Sequence, residues 1–446
     1  MPCYIFAGYG PLDKLLNNNL DVCHINKLRR LVVQRTYLLL FEPGGSVTIM
    51  QGVTEKVDRK FINRNFNLIA FSLIAGMILI AYSNTFYSSF HFDDNPSIVE
   101  NPYIKRVTVE NIQYLLSTNR PVVDLTLMLN YQLSGLNVVG WHIFNIGCHI
   151  ANSFMVYMLI QWTLQLPLFA ARYAEKAKRM ALFGALLFAV HPVQTESVTY
   201  IISRSELVTS FFYLMTFFIF IKAAKTNKLS YTIAAFFSSL CAMRSKEWAV
   251  TLPAVLFLYD YLFLAEGKIK PVLARWKTYV LIALPWAIVL YKVPLFSGQP
   301  GLSYGFSVHT TSGITPVTYL LTSFNVLWTY VRLLLLPIKQ NLDYDYPVAK
   351  TLIEFPTLLS LLGHVAVVGT AFWLYKKKNW LLIPFGVAWF YITLSPVQSV
   401  VPIIDVIFEH RVYLPSIGFF IVFVAAYEEA IDWFETRSLK KSVTTS

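Results

Sequence analysis

The sequence predicts an all-α protein that crosses a membrane many times. Hydrophobic residues make up 56% of the 446 residues and charged residues only 14%, which gives a mean hydropathy of +0.52. A soluble domain of that composition would expose large apolar patches to water. Apolar runs near bilayer length also recur along most of the chain. We therefore expect an all-α polytopic membrane protein with about 10 transmembrane helices, in a range of roughly 10 to 12, and further helices in its outer loops.

The first segment, residues 1–62, differs in composition from the rest of the chain. It is polar, and its one apolar patch is too short to span a bilayer. It lacks the regions of a signal peptide, and Met50 precedes a Lys-rich lead-in, which makes Met50 an alternative start. We expect a poorly ordered tail here, a membrane domain over residues 63–432, and a short basic cytoplasmic tail over residues 433–446.

The candidate spans are identified by apolar length. They are residues 66–83, 141–163, 180–200, 206–222, 230–245, 247–264, 278–296, 355–375, 380–399 and 411–430. If these segments cross the bilayer, every basic cluster between them falls on one side. That side is then cytoplasmic by the positive-inside rule, which also accounts for the net charge of +12 without a nucleic-acid partner.

Residues 318–336 form one further apolar stretch that is long enough to span. Counting it as a span would move Lys376, Lys377 and Lys378 to the outer side, against the positive-inside rule. It also contains Arg332, which would be costly facing lipid. We therefore expect an interfacial or re-entrant helix on the outer side.

The cysteines do not indicate a disulfide framework. Cys3 and Cys23 lie in the polar first segment, whereas Cys148 and Cys241 lie within apolar segments. We expect no structural disulfide.

The polar residues that carry chemistry fall on the outer side of this topology. The long loop 84–140 comes directly after the first span and begins near HFDD, in which Asp93 and Asp94 are adjacent. Neighbouring carboxylates repel one another, so that the pair needs a cation, a positive partner or a proton to move. This chemistry suits a general base at a membrane surface. The alternative is a pair of solvated loop charges with a capping or turn role.

Several motifs, taken in order, resemble one family of membrane enzymes. They are HFDDNPSIVENPYI, RPVVDLTLMLNYQLSGLNVVGWHIFNIGCHIANS, AVHPVQTESVTYIISRSELVTSFFYL, SKEWAVTLPAVLFLYDYL and EHRVYLPSIGFF. Together they resemble the membrane module of the transmembrane and tetratricopeptide-repeat O-mannosyltransferases and their bacterial relatives, over about residues 85–430. The resemblance implies a GT-C type fold, related to the protein O-mannosyltransferases. It also implies an inverting hexosyltransferase that takes a mannose-like sugar from a polyprenyl-phosphate carrier and passes it to an acceptor hydroxyl.

The resemblance implies roles for individual residues. An acid of the first outer loop serves as the base, here Asp93 or Asp94, and we expect Asp93. The phosphate leaving group needs no general acid, but its developing charge needs stabilisation. We assign this role to Arg204, Lys246 and His410 or Arg411. The further phosphate candidates are Arg120 and His191, and the supporting acids are Glu196, Glu247 and Glu409.

Each supporting residue also has a structural interpretation. His191 precedes Pro192 and could cap a span end. Glu196 could pair with Arg204, and Glu247 with Arg204 or Arg244. Another feature, His142 with His149 in an apolar segment, is more typical of hydrogen-bonded packing residues than of metal ligands.

The resemblance leaves the acceptor open. No 34-residue repeat is visible before Ser446. We therefore expect the acceptor-recruiting part to be either missing or a separate protein, and the acceptor to be either a protein Ser or Thr or a glycan. Membrane lipid is the other expected partner. Two adjacent acids can bind a divalent ion, but relatives with monophosphate donors need none, and we expect no metal and no cofactor.

Two other classes of function are compatible with the sequence. An O-antigen ligase-like or polymerase-like glycan enzyme would keep the basic outer residues without depending on Asp93. A transporter of lipid-linked substrates would place its charges near the bilayer midplane and show inverted repeats, whereas the charges here gather at outer span ends. We expect a bacterial or archaeal plasma membrane with the active site facing outward, and the endoplasmic reticulum membrane as the alternative.

Overall fold

The computed structural model describes residues 59–287, 314–377, 380–403 and 405–444. The chain divides into two compact units, Met1–Arg64 and Asn65–Ser446, and the second contains nearly all of the described residues. Met50, nearly all of the expected N-terminal tail and the second half of the expected span 278–296 lie outside the described residues.

The described residues contain α-helices, short helical turns and loops, and no β-strand, which confirms the all-α prediction for them. The helices are α1 (Arg59–Ala81), α2 (Val109–Ser117), α3 (Pro121–Ser134), α4 (Val138–Leu164), α5 (Pro167–Tyr173), α6 (Ala177–Val190), α7 (Thr195–Thr199), α8 (Arg204–Thr226), α9 (Leu229–Met243), α10 (Leu252–Tyr259), α11 (Ile269–Ala274), α12 (Trp276–Ala283), α13 (Pro316–Leu335), α14 (Phe355–Tyr375), α15 (Leu382–Leu394) and α16 (Pro415–Thr444).

Four helical runs of the described residues are long and apolar enough to cross a membrane. They are Val138–Leu164, Ile201–Thr226, Glu247–Leu264 and Phe355–Tyr375. Asn65–Ala81, Leu229–Met243 and Leu382–Leu394 are apolar but shorter. A membrane protein is therefore supported, whereas the number of spans stays a prediction.

Several element boundaries differ from the expected ones. The segment 180–200 is not one continuous helix. The helix α6 ends at Val190, because Pro192 interrupts it and starts a tight 3-10 turn, Pro192–Gln194, which the short helix α7 follows. The helix α16 continues to Thr444, through the stretch that we expected to be a separate tail.

The helix α4 lies at the centre of the core. It packs against α6 and α8 and buries polar as well as apolar side chains, among them His149, Asn152 and Trp141. The His149 ring bonds to the Tyr413 hydroxyl at 2.7 Å and to the Ala189 carbonyl oxygen at 2.9 Å. This histidine is therefore a packing residue, as we expected.

The helices α15 and α16 make a close helix pair. A Cβ built on Gly386 would overlap the carbonyl oxygen of Gly418, and a Cβ built on Gly418 would overlap the oxygen of Gly386 in the same way. Small residues at facing positions let two backbones approach this closely, as in membrane helix pairs. The pair fixes the start of α16, which comes directly after the short turn Glu409–Val412.

The helix α13 covers the apolar stretch that we expected to be interfacial. In its first turn, the Tyr319 hydroxyl donates to the carbonyl oxygen of Val397, which lies just beyond α15. In its last turn, the Leu334 carbonyl oxygen contacts the His191 ring at 3.1 Å. The Tyr330 hydroxyl donates to the Phe408 oxygen at 2.9 Å. Both ends of α13 thus contact segments from one end of the bundle, which agrees with a helix lying along that end.

Ion pairs tie the helices together at the opposite end of the bundle. Arg172 pairs with Glu429, and Lys176 pairs with Glu428 and Asp432 at 2.6 Å each. These acids lie on α16 about 13 to 17 residues after Pro415, which corresponds to roughly 20–26 Å along a helix. The carboxylates balance part of the basic cluster there, at the end that we expected to be cytoplasmic.

Candidate active site

A polar cavity of about 310 Å³ opens at one end of the helix bundle. We call this end the cavity end. It brings together segments 82–137, 191–204, 244–251, 336–350 and 395–414, which hydrogen-bond to one another. The cavity is lined by Ser88, Ser89, His91, Asp94, Thr195, Glu196, Thr199, Tyr200, Gln340, Asn341, Leu342 and Glu409.

The two acids of HFDD have different environments. Asp94 is 1% exposed, and its two carboxylate oxygens accept hydrogen bonds from the backbone N–H groups of His91, at 3.0 Å, and Ile202, at 2.9 Å. Burial raises the pKa of Asp94 to about 6, against the opposing effect of these hydrogen bonds. Asp94 therefore anchors the loop to the start of α8 and forms part of the cavity wall.

Asp93 is exposed and is not one of the residues that line the cavity, although its neighbour Asp94 is. Its backbone N–H donates to the Tyr200 hydroxyl at 2.9 Å, while no hydrogen bond or ion pair to its carboxylate is found among the described residues. The preceding residue, Phe92, has a φ of 43°, a left-handed conformation that is uncommon for an aromatic residue. This turn sets Asp93 and Asp94 in different directions although they are adjacent.

Glu196 forms a second acidic group of the cavity wall and pairs with His410. One Glu196 oxygen accepts from the backbone N–H of His410 at 2.9 Å, and the other lies 2.5 Å from its Nδ1 atom. On the far side of the ring, Nε2 lies 3.8 Å from a carboxylate oxygen of Glu206. The imidazole thus lies between the carboxylates of Glu196 and Glu206. The structural interpretation of the sequence, in which Glu196 pairs with Arg204, is therefore wrong.

A group of charges lies directly behind His410. Lys246 donates to Glu206 at 2.6 Å, and the Trp248 indole donates to the other Glu206 oxygen at 2.8 Å. Burial lowers the pKa of Lys246, while the neighbouring Glu206 opposes this effect. Arg120 and Glu247 form a neighbouring ion pair, in which Arg120 donates from Nε to Oε1 at 3.3 Å and from Nη2 to Oε2 at 3.0 Å.

The partner of Glu247 is therefore Arg120 and neither Arg204 nor Arg244. Arg244 instead donates to the carbonyl oxygens of Leu116 and Thr118, both at 3.0 Å. Arg244 thereby ties the loop helices α2 and α3 to the end of α9. Lys246 and Arg120 are close enough to influence each other's charge, so two of the expected cationic residues do come together here.

Arg204 lies elsewhere, fully buried within the helices. Its guanidinium donates to the Asn130 side chain at 2.9 Å and to the Thr126 carbonyl oxygen at 3.4 Å. It also lies over the rings of Trp141, at 5.0 Å, and Phe144, at 4.4 Å. These contacts hold α3 against α4 and α8, and Arg204 does not line the cavity.

His191 and Arg411 are also placed mainly by backbone contacts. His191 accepts from the Val193 N–H at 3.2 Å and contacts the Leu334 oxygen, so its side chain caps the start of the turn Pro192–Gln194, directly after α6. Arg411 donates to the Val406 oxygen at 3.3 Å and lies 5.2 Å from the Phe408 ring centroid.

Sequence reasoning did not single out Tyr200, Glu206, Gln340 and Asn341 as site residues. Tyr200 and Glu206 lie in the quoted motif that contains Glu196 and Arg204, which was the available signal. Gln340 and Asn341 lie in no recognised motif, and only the folded chain brings them to the cavity. Among the described residues, no cluster of three or more His, Cys, Asp or Glu side chains has the geometry of a metal site.

Comparison with known proteins returns O-mannosyl-transferases. Human protein O-mannosyl-transferase TMTC3 is 28% identical over 227 residues, which cover 47% of this chain and 23% of the relative. Human TMTC4 is 28% identical over 227 residues, covering 46% and 30%. Caenorhabditis elegans protein O-mannosyl-transferase F38B6.6 is 24% identical over 366 residues, covering 78% and 49%.

The chain thus spans between about a quarter and a half of the length of these curated relatives. No family model matches it. The relatives nevertheless confirm the resemblance carried by the motifs: this chain is similar in sequence to the TMTC-type protein O-mannosyl-transferases.

Proposed function

We propose that this protein is an integral-membrane glycosyltransferase. It transfers a mannose-like hexose from a polyprenyl-phosphate carrier to an acceptor hydroxyl, with inversion at the sugar and without a metal. The observation that carries the proposal is a pair of adjacent acids, of which Asp94 is anchored in the wall of a polar cavity and Asp93 is exposed next to it. The names of the relatives support the reaction class.

Asp93 accepts the proton of the attacking hydroxyl in this proposal. Asp93 is exposed and adjacent in sequence to the cavity-lining Asp94, whereas both oxygens of Asp94 already accept backbone hydrogen bonds. As the hydroxyl oxygen bonds to the anomeric carbon, the proton passes to Asp93 and the bond to the carrier phosphate breaks. A base must lie within hydrogen-bond reach of that proton, which the exposed position of Asp93 allows.

The carrier phosphate gains negative charge as the bond breaks, and cations stabilise it. We assign this role to His410 and Lys246, with Arg120 and Arg411 as further contributors. His410 connects the cavity wall at Glu196 to the charge group at Glu206, so it is placed between the sugar and the cations. We assign Arg204 and His191 to helix packing and capping, because their polar atoms bond to Asn130 and to the backbone.

The proposal places the cavity end in the lumen of the endoplasmic reticulum. The three relatives named above come from animals, which favours this alternative over a prokaryotic plasma membrane. The acceptor is then a Ser or Thr hydroxyl of a secretory protein, as the names of the relatives suggest, with a glycan hydroxyl as the second candidate.

The reaction is tested by incubating membranes that contain the full chain with a radiolabelled polyprenyl-phosphate mannose and endogenous acceptors. We expect label to enter protein in excess of control membranes without the chain, and a nucleotide-linked mannose to be inactive once endogenous carrier is depleted. Label transferred from the nucleotide sugar alone would contradict the lipid-phosphate donor. Label entering only lipid-linked glycan would favour a glycan acceptor.

A further inference from the structure

One wall of the cavity comes from a segment that the reaction scheme does not use. Residues 336–350, which we call the strap, connect α13 to α14 without forming a helix. Three of the cavity-lining residues, Gln340, Asn341 and Leu342, belong to it. The strap is held at both ends, because the Ile338 oxygen accepts from Arg332 at 2.7 Å and the Ala349 N–H donates to Thr322 at 2.9 Å.

A single buried carboxylate holds the middle of the strap. Glu409 is 3% exposed. One of its oxygens accepts from the Asn341 N–H at 2.8 Å and from the Tyr344 hydroxyl at 2.5 Å, and the other accepts from the Gln340 amide at 2.5 Å. Because a buried carboxylate requires several donors, Glu409 fixes these three residues together.

The next residue along the chain holds the opposite side of the cavity. His410 binds Glu196 through both its backbone N–H and its ring. Glu409 and His410 are consecutive in a short helical turn, Glu409–Val412. One short turn, Glu409–Val412, therefore connects the strap to Glu196 on the opposite side of the cavity.

The strap presents neutral hydrogen-bonding groups to the cavity. Gln340 also donates from its amide nitrogen to the Pro192 oxygen at 2.9 Å, which fixes the orientation of the side chain. Its amide oxygen and the side-chain nitrogen of Asn341 make no hydrogen bond to the described residues. Ser88, Ser89, Thr195 and Thr199 provide hydroxyl groups on the other walls.

The same lining disfavours an anion. Asp94, Glu196 and Glu409 contribute carboxylates, whereas His91 is the sole basic side chain among the described residues of the lining. The cations Lys246 and Arg120 lie outside the lining, paired with Glu206 and Glu247. A ligand that is neutral and rich in hydroxyl groups fits this lining, and a phosphate does not.

We propose that the strap is the sugar-recognition wall of the cavity, in which Gln340 and Asn341 bind hydroxyl groups of the hexose and Glu409 positions them. This inference rests on the proposed function, since it assigns part of the donor to part of the same site. The phosphate of the donor lies on the other side, toward His410 and Lys246. Selectivity among hexoses then depends on residues that no motif identifies.

The test is a binding measurement, so that it does not depend on turnover. Purified full-length protein is titrated with radiolabelled polyprenyl-phosphate mannose and, separately, with the bare polyprenyl phosphate. We expect Asn341→Ala and Gln340→Ala each to weaken binding of the mannose-bearing lipid by roughly 3- to 10-fold, the usual effect of losing one neutral hydrogen bond. Affinity for the bare lipid phosphate should not change.

Two further variants complete the experiment. Glu409→Gln should weaken sugar binding more than either single change, because its amide replaces one acceptor with a donor that faces the strap. The control is Asp345→Asn, since Asp345 is exposed on the same strap and does not line the cavity. It should bind both lipids like wild type.

The outcomes separate this inference from the proposed reaction. Equal losses for both lipids, or unchanged binding of the mannose-bearing lipid in both alanine variants, would overturn the sugar wall. If the selective loss appears but no transfer is detected with any acceptor, the strap assignment stands and the transfer reaction fails. If the two alanine variants bind the mannose-bearing lipid like wild type but bind an acceptor peptide more weakly, the strap recognises the acceptor and not the sugar.

Discussion

At the scale of single residues, adjacency in sequence does not make Asp93 and Asp94 equivalent. The loop turns at Phe92, which has a positive φ, and the two carboxylates then meet different surroundings. Asp94 is buried against backbone N–H groups, and Asp93 stays exposed. The sequence could identify the pair as chemically unusual, because repulsion between neighbouring carboxylates is a consequence of adjacency alone. It could not say which acid is anchored, since the N–H donor of Ile202 lies more than a hundred residues away.

The raised pKa of Asp94 predicts how stability changes with pH. Its pKa in the folded protein is about 6, above the ordinary value of 3.8, so the folded state binds this proton more tightly than the unfolded state. By linkage, Asp94 lowers the free energy of unfolding as pH rises from about 4 to about 6, by on the order of 2–3 kcal/mol. We expect thermal denaturation in detergent to show this decrease for wild type and not for Asp94→Asn. Parallel pH curves for the two proteins would contradict the assignment.

Substitutions at Lys246 can show whether this residue acts on the substrate phosphate or only neutralises the buried Glu206. Lys246→Met leaves Glu206 buried without its ion-pair partner, which typically costs about 3–5 kcal/mol. We expect the double variant with Glu206→Gln to recover most of this stability, because the buried charge is then gone. Transfer activity should stay low in both, since the phosphate has lost a cation. Recovery of transfer together with stability in the double variant would show that Lys246 only neutralises Glu206.

At the scale of elements, helix positions were more predictable than helix ends. Apolar length located the helical segments near 141–163, 206–222 and 355–375, because each needs only one continuous run. The end of α6 at Val190 was missed, although Pro192 was a readable signal. The strap was not predicted at all. It has no periodic pattern, and its conformation depends on hydrogen bonds to Glu409.

The contact between α15 and α16 gives a prediction about packing. Gly386→Ala places a Cβ about where the Gly418 oxygen and a Val422 methyl group now lie, so the helices must separate. We expect destabilisation by roughly 1–3 kcal/mol, measured as a lower thermal midpoint in detergent. The matched control is Gly369→Ala in α14, where a Cβ meets nothing within 4 Å and helix propensity favours alanine. A lower midpoint for the control but not for Gly386→Ala would contradict this packing.

At the scale of the whole molecule, the outer polar motifs do gather at one end. Asp94, Glu196 and Glu409 come from three separated segments and line one cavity. Of the basic residues in these motifs, Arg120 is near enough to Lys246 to lower its pKa. Arg204 lies apart from them, because a cation can be satisfied by an amide, carbonyls and aromatic faces. Sequence shows that such a residue is charged but not which partners it will find.

The orientation of the chain can be tested at four exposed positions. Thr315 and Lys339 lie beyond the two ends of α13, and Asp343 lies further along the strap. Single cysteines at these three positions should all react with a membrane-impermeant maleimide from the same side of the membrane. Lys225→Cys, at the end of α8, should react from the other side. Labelling of Thr315→Cys and Lys339→Cys from opposite sides would show that α13 crosses the bilayer.

The central claim is that Asp93 takes the proton and Asp94 holds the loop. The most direct measurement is the initial rate of mannose transfer by Asp93→Asn and Asp94→Asn, at matched expression and with thermal midpoints recorded for each. Asparagine keeps the shape of Asp93 and removes its basicity. We therefore expect the transfer rate of Asp93→Asn to be roughly 100-fold or more below that of wild type, in the range of general base catalysis. Its thermal midpoint should stay that of wild type. Wild-type transfer by Asp93→Asn would contradict the account, whatever the behaviour of Asp94→Asn.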